Sequence, residues 1–143
     1  MAREPRFSNE KLVRYPHMFP LDIAIWERFL DNHGSDFDGF DYDTKVGSGT
    51  EPPSGVGDNY ARMQQILSKY RIDVIGYKKG SIYIIEVKPN ASAGALGQVD
   101  TYTELYKRDF NPSETVIGCL VTDRELPDMK YLTESKGMEY YVV

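Results

Sequence analysis

Two apolar runs, 72–77 and 82–87, stand on either side of Lys78-Lys79-Gly80-Ser81, and this arrangement constrains the chain more than any other feature. Short runs rich in β-branched residues, separated by a polar segment that contains glycine, predict a β-hairpin. A turn centred between Lys79 and Gly80, with either a two- or a four-residue loop, fixes the register. Ile75 then faces Ile84, and Asp73 faces Glu86. Two carboxylates directly opposite one another on neighbouring strands are destabilising. At an effective dielectric constant of about 20, unit charges 5 Å apart repel by about 3 kcal/mol before solvent and side-chain rotation relieve them. A bound cation would remove that cost.

Lys88 lies two residues beyond Glu86 and so projects from the same face, making a carboxylate–carboxylate–ammonium cluster at the strand ends. Oxygen ligands of this kind suit Mg²⁺ or Mn²⁺ rather than zinc, and Mg²⁺ keeps waters beside its one or two carboxylates. The same residues also fit a solvated strand face, or an Asp73–Lys88 salt bridge.

Around the hairpin, periodicity supplies the other elements. Pro20, Asp22 near the positive end, Leu21, Ile25 and Phe29 four apart, and Gly34 after the last turn predict a helix over about 21–33. Residues 40–46 alternate as a half-buried strand, with Phe40, Tyr42, Thr44 and Val46 on one face. Four glycines and two prolines make 47–57 a flexible loop, after which Asp58 caps a short helix carrying Met63, Ile66, Leu67 and Tyr70. An amphipathic helix runs from Gln98 to about Arg108, stopped by Asn111-Pro112. The continuous apolar run 115–122 predicts a central strand covered on both faces, followed by a helix over about 126–136 and a last strand from Met138 to Val143. The whole predicts an α/β domain over 20–143, a central mixed sheet flanked by helices, preceded by an irregular, mildly basic arm at 1–19.

Asp73, then Glu86-Val87-Lys88 after twelve intervening residues, closely resembles the signature of the PD-(D/E)XK nuclease superfamily. The element order is similar to its restriction-endonuclease-like αβββαβ core, with an added helix and a C-terminal strand. Gln98-Val99-Asp100-Thr101-Tyr102 resembles the Q-x-x-x-Y motif of the exonuclease-type branch. Ile72 stands where the family's name has proline. The resemblance implies a Mg²⁺- or Mn²⁺-dependent hydrolase of DNA phosphodiester bonds, in processing, repair or recombination, or phage-encoded. It implies Asp73 and Glu86 as metal ligands, the Val87 carbonyl as an auxiliary one, and Lys88 as the group that orients water and stabilises phosphate charge. Gln98 and Tyr102, one turn apart, would look into the same site. An acidic residue from the first helix is expected there too. Glu27 is the choice, because the terminal positions of Asp22 and Asp31 are explained by capping and the helix dipole. An inactive nuclease-fold module serving nucleic-acid binding or protein assembly is the competing expectation.

A net charge of -5 excludes an evenly basic DNA-coating protein but leaves room for a local basic strip. Lys78, Lys79, Lys107 and Arg108 are the candidates for DNA contact, among further cations at Arg62, Lys69 and Arg71. A lone Cys119 and two histidines, His17 and His33, argue against a disulfide framework, a zinc site or a Cys–His pair. Gly94 and Gly97 match neither a P-loop nor a dinucleotide fingerprint. No run is long enough to span a membrane, and the polar start lacks the apolar core of a signal peptide. A cytoplasmic setting is expected, that of the host if the protein is phage-encoded. A homodimer or a larger replication or repair assembly is compatible with the size.

Overall fold

A computed structural model describes residues 3–143; the first two residues of the expected arm lie outside it. Five strands form one sheet in the order β1 (Gly39–Val46), β2 (Tyr70–Lys78), β3 (Ser81–Val87), β4 (Thr115–Thr122) and β5 (Glu139–Val142). The first three are antiparallel, while β3, β4 and β5 run parallel, so the sheet is mixed. α1 (Pro20–His33) packs on one face. α3 (Ala93–Phe110) and the short α4 (Met129–Ser135) cover the other, as expected when two parallel crossovers step across a sheet in the same direction. Among the described residues no helix is long and apolar enough to cross a membrane.

Alternation along β3 sorts the two cores. Tyr83, Ile85 and Val87 join Trp26, Phe29, Phe37 and Phe40 under α1, whereas Ile82 and Ile84 join Tyr102 and Tyr106 under α3. The hairpin register puts Ile75 opposite Ile84, as the turn placement requires, and Gly80 reverses the chain at φ 80°. α3 lies very close to the sheet because β4 has glycine beneath it. A Cβ on Gly118 would come within 2.6 Å of Val99 Cγ1.

Simple alternation fails once, in β1 and β2 together. Phe40, Tyr42 and Val74 face α1, but Val46 and Ile72, of the same parity, belong to the core beneath α3. The ladder skips Asp43 and Asp73, which stand opposite one another between paired residues, and Asp43 takes the left-handed conformation at φ 56°. Asp tolerates that region better than most residues, and Arg71 holds its carboxylate at 2.7 Å and 2.5 Å. The two strands therefore rotate at Asp43 and Asp73, which separates Thr44 and Val46 from the face shared by Phe40 and Tyr42.

Other boundaries depart from the sequence reading. α3 begins at Ala93, so Gly94 and Gly97 are inside its first turns rather than ahead of it, and it ends at Asn111 in the left-handed conformation. α2 (Asp58–Leu67) has Gly57 as its cap and buries no residue; Met63, Ile66 and Leu67 are exposed and Tyr70 opens β2. Its apolar stripe follows helical spacing but joins none of the core clusters of the described residues. α4 spans 129–135 instead of 126–136. The N-terminal arm is irregular yet docked. Phe7 bridges Phe40, the Arg6 N–H donates to Asp41, and Tyr15 and Met18 are buried beneath α1.

Candidate active site

The β2–β3 ladder closes at Val74 and Ile85, and the next residues on the two strands are Asp73 and Glu86. There the side chains take over from the backbone. Asp73 Oδ2 accepts the Val87 N–H at 3.0 Å, and Glu86 Oε1 lies 3.5 Å from the Asp73 nitrogen that donates to it. Each carboxylate thus holds the opposite strand with one oxygen. The remaining oxygens receive no backbone N–H from the described residues, and the two carboxyl groups lie within hydrogen-bonding reach of each other.

Both carboxylates open into a cleft of about 280 Å³ that is also lined by Asp22, Lys88, Gln98 and Tyr102. β3 alternation directs Glu86 and Lys88 to the α3 side, where Gln98 and Tyr102 stand one helical turn apart. Tyr102 is largely buried, with the Tyr70 ring 5.5 Å away. Gln98 Oε1 is buried without a hydrogen-bond partner among the described residues. Lys88 is exposed at the rim and forms no ion pair with either carboxylate, so the Asp73–Lys88 salt bridge is not formed.

Electrostatics at the cleft follow from burial. Glu86 is 6% exposed, and burial pushes its carboxyl well above the usual carboxylate range, with the Asp73 charge adding to the effect. Burial raises Asp73 as well, and the nearby Asp22 contributes. Without a cation, burial and the mutual repulsion of the two charges favour the protonated form of the pair. Burial, with both acids behind it, holds the Tyr102 hydroxyl neutral. An unpartnered amide oxygen and two facing carboxyl groups offer only oxygen donors, which fits a hard divalent cation that would displace the proton between them. No group of three or more Asp, Glu, His or Cys among the described residues is arranged to hold a metal, so such a cation would complete its shell with water.

The first helix sends Asp22, not Glu27, toward these carboxylates. Five residues along a helix amount to about 7.5 Å and roughly 140° of rotation. Glu27 accordingly lines a separate cavity beneath the arm, near the Tyr15 hydroxyl at 3.5 Å. Asp22 does cap the helix, accepting the Phe19 N–H at 3.1 Å, and the capping role concealed its place at the cleft. Arg71 lines the cleft too. The signal for it was its position two residues before Asp73.

The basic candidates do not converge. Lys78 and Lys79 sit at the turn, roughly 17 Å along the strand from Asp73. Lys78 Nζ lies over the Phe37 and Tyr83 rings at 4.5 and 4.9 Å. Lys107 pairs with Glu104, while Arg108 pairs with Asp109 on the wall of a different groove. Both basic pairs lie away from the carboxylate cleft, because like charge in the sequence carries no information about which end of an element it occupies.

No family model matches the chain, and no curated protein matches its sequence. Two solved structures are similar in fold. A repair endonuclease from Pyrococcus abyssi aligns over 89% of this chain and 49% of its own at 21% identity and a TM-score of 0.51. The EndoMS–dsDNA2 complex aligns over 94% of this chain and 48% of its own at 20% identity and a TM-score of 0.52. The chain spans about half the length of these solved chains. The α/β architecture is that of the nuclease-like folds to which they belong.

Proposed function

We propose that the chain is a divalent-metal-dependent nuclease that hydrolyses phosphodiester bonds of DNA, with a role in DNA repair or a related processing reaction. The observation that carries this reading is the buried Asp73–Glu86 pair at adjoining strand ends, with Lys88, Gln98 and Tyr102 around the same cleft. Support comes from the fold, shared with a repair endonuclease and with a protein solved on double-stranded DNA.

Asp73 Oδ1 and Glu86 Oε2 would hold Mg²⁺ or Mn²⁺, with Asp22 adding negative potential and the Val87 carbonyl an auxiliary contact. When bound, such an ion supplies Lewis acidity toward the phosphate and makes water easier to deprotonate. Lys88, unpaired at the rim, places its ammonium where a phosphate would lie and offsets the charge that grows on the phosphoryl oxygens during attack. Gln98 Oε1 offers an acceptor to the attacking water and orients it. Tyr102, held neutral, donates to phosphate and excludes bulk solvent. Pairing two strand-end carboxylates with both strands fixes their separation before any ligand arrives, so little reorganisation accompanies binding.

The test is cleavage of single-stranded, double-stranded, flapped and branched DNA by the wild type and Lys88→Ala in Mg²⁺ and in chelator. Cleavage of at least one substrate that requires metal and falls by about 100-fold or more in the variant is expected. No cleavage of any substrate, or equal cleavage by both proteins, would refute the reading.

A further inference from the structure

A groove of about 560 Å³ is separate from the carboxylate cleft and carries four cations: Lys45, Arg62, Lys69 and Arg108. They come from different parts of the chain. Lys45 is on β1, Arg62 on α2, Lys69 on the connection into β2, and Arg108 near the end of α3. A single carboxylate, Asp109, lines the same groove, and it is occupied by internal contacts: Oδ2 accepts the Gly47 N–H at 2.7 Å and Oδ1 the Arg108 Nε at 2.8 Å. Lys45, Arg62 and Lys69 form no ion pair among the described residues.

Gathering unpaired cations in one concavity is unexpected in a chain of net charge -5. Such a concentration repels itself and is relieved by a polyanion. The groove adjoins the cleft. Lys45 faces Arg71 across the β1–β2 ladder, and Arg71 lines the cleft. Tyr70, next to Lys69, is exposed on one side and packs on Tyr102 of the cleft on the other.

We infer that this groove is a second contact surface for nucleic acid, in which Lys45, Arg62, Lys69 and Arg108 hold the sugar–phosphate backbone at a distance from the scissile bond. The inference rests on the nuclease reading for the direction of the strand, from groove to cleft past Tyr70. Phosphate contacts of this type position a strand without reading its sequence. It also assigns α2 a purpose its packing does not explain, since the helix buries no residue and contributes Arg62 to the groove.

The test measures binding of fluorescently labelled single-stranded and duplex oligonucleotides by fluorescence anisotropy across a salt series. The proteins are Glu86→Gln as parent, the same chain with Arg62→Ala and Lys69→Ala, and a control with Lys78→Ala and Lys79→Ala. Because α2 contributes nothing to the core, the groove variant should keep its circular dichroism spectrum and melting temperature. We expect it to bind at least one of the two oligonucleotides about tenfold more weakly, with a salt slope shallower by about two, one per cation removed, and the control to bind as the parent does. The oligonucleotide affected identifies the strand form that occupies the groove. Unchanged binding by the groove variant, or equal weakening by the control, would overturn the inference. Failure of the nuclease reading is separable, because cleavage is read on the wild-type chain: binding lost with Arg62 and Lys69 but no cleavage by the wild type in Mg²⁺ would refute catalysis and leave the groove, whereas cleavage by the wild type with unchanged binding by the groove variant would refute the groove alone.

Discussion

Asp73 Oδ2 accepts the Val87 N–H at 3.0 Å, so a side chain within β2 holds the backbone of β3 at the point where the ladder between the two strands stops. Asparagine keeps an acceptor in the same place and removes the charge. Asp73→Asn should therefore fold with a melting temperature close to that of the wild type yet bind Mn²⁺ at least about tenfold more weakly in a calorimetric titration, the scale seen when a metal site loses part of its support. Equal Mn²⁺ affinity in both proteins would show that Asp73 is not a ligand.

Burial of Glu86 makes a definite prediction about pH. Its folded pKa is raised, so above the ordinary Glu value of about 4.3 the unfolded chain releases a proton that the folded chain retains, and metal-free stability falls as pH rises toward the folded value. Glu86→Gln removes that dependence. In chelator, the stability difference between variant and wild type should move in the variant's favour by at most about 1.4 kcal/mol per pH unit between about pH 5 and pH 7, read from urea melts. A difference independent of pH would contradict the account of this carboxyl.

Gly118 ties the core to the site. Its missing Cβ lets Val99 approach β4, and Val99 is next to Gln98 on the helix that also carries Tyr102. Gly118→Ala should cost about 1–3 kcal/mol by overpacking and displace the helix from the cleft, lowering cleavage as well as stability. Val99→Ala in the same chain should restore much of both. A Gly118→Ala protein as stable and active as the wild type would show that this close approach is not needed.

What the sequence made legible were the features that depend on local chemistry. A short polar turn between β-branched runs was enough to set the register opposite Ile75 and Ile84, and an unbroken apolar run marked β4 with both ends in place. Asp73, Glu86, Val87, Lys88, Gln98 and Tyr102 do line one cleft. What stayed hidden depended on how elements meet. Asp22 and Glu27 are equally acidic on one helix, and only the docking of α1 on the sheet decides which of them reaches the carboxylates. The rotation at Asp43 and Asp73 has no period to betray it, since it arises from one residue in a left-handed conformation. The stripe on α2 has helical spacing but joins none of the core clusters, and the four cations of the groove come from parts of the chain as far apart as Lys45 and Arg108.

The proposed mechanism requires one divalent cation between Asp73 and Glu86. A crystal of the protein soaked in MnCl₂ and measured at a wavelength where manganese scatters anomalously tests it most directly. An anomalous peak is expected in contact with a carboxylate oxygen of each residue, in the cleft beside Lys88 and Gln98. An ordered cleft with no peak there, or a peak bound only elsewhere on the chain, would contradict it.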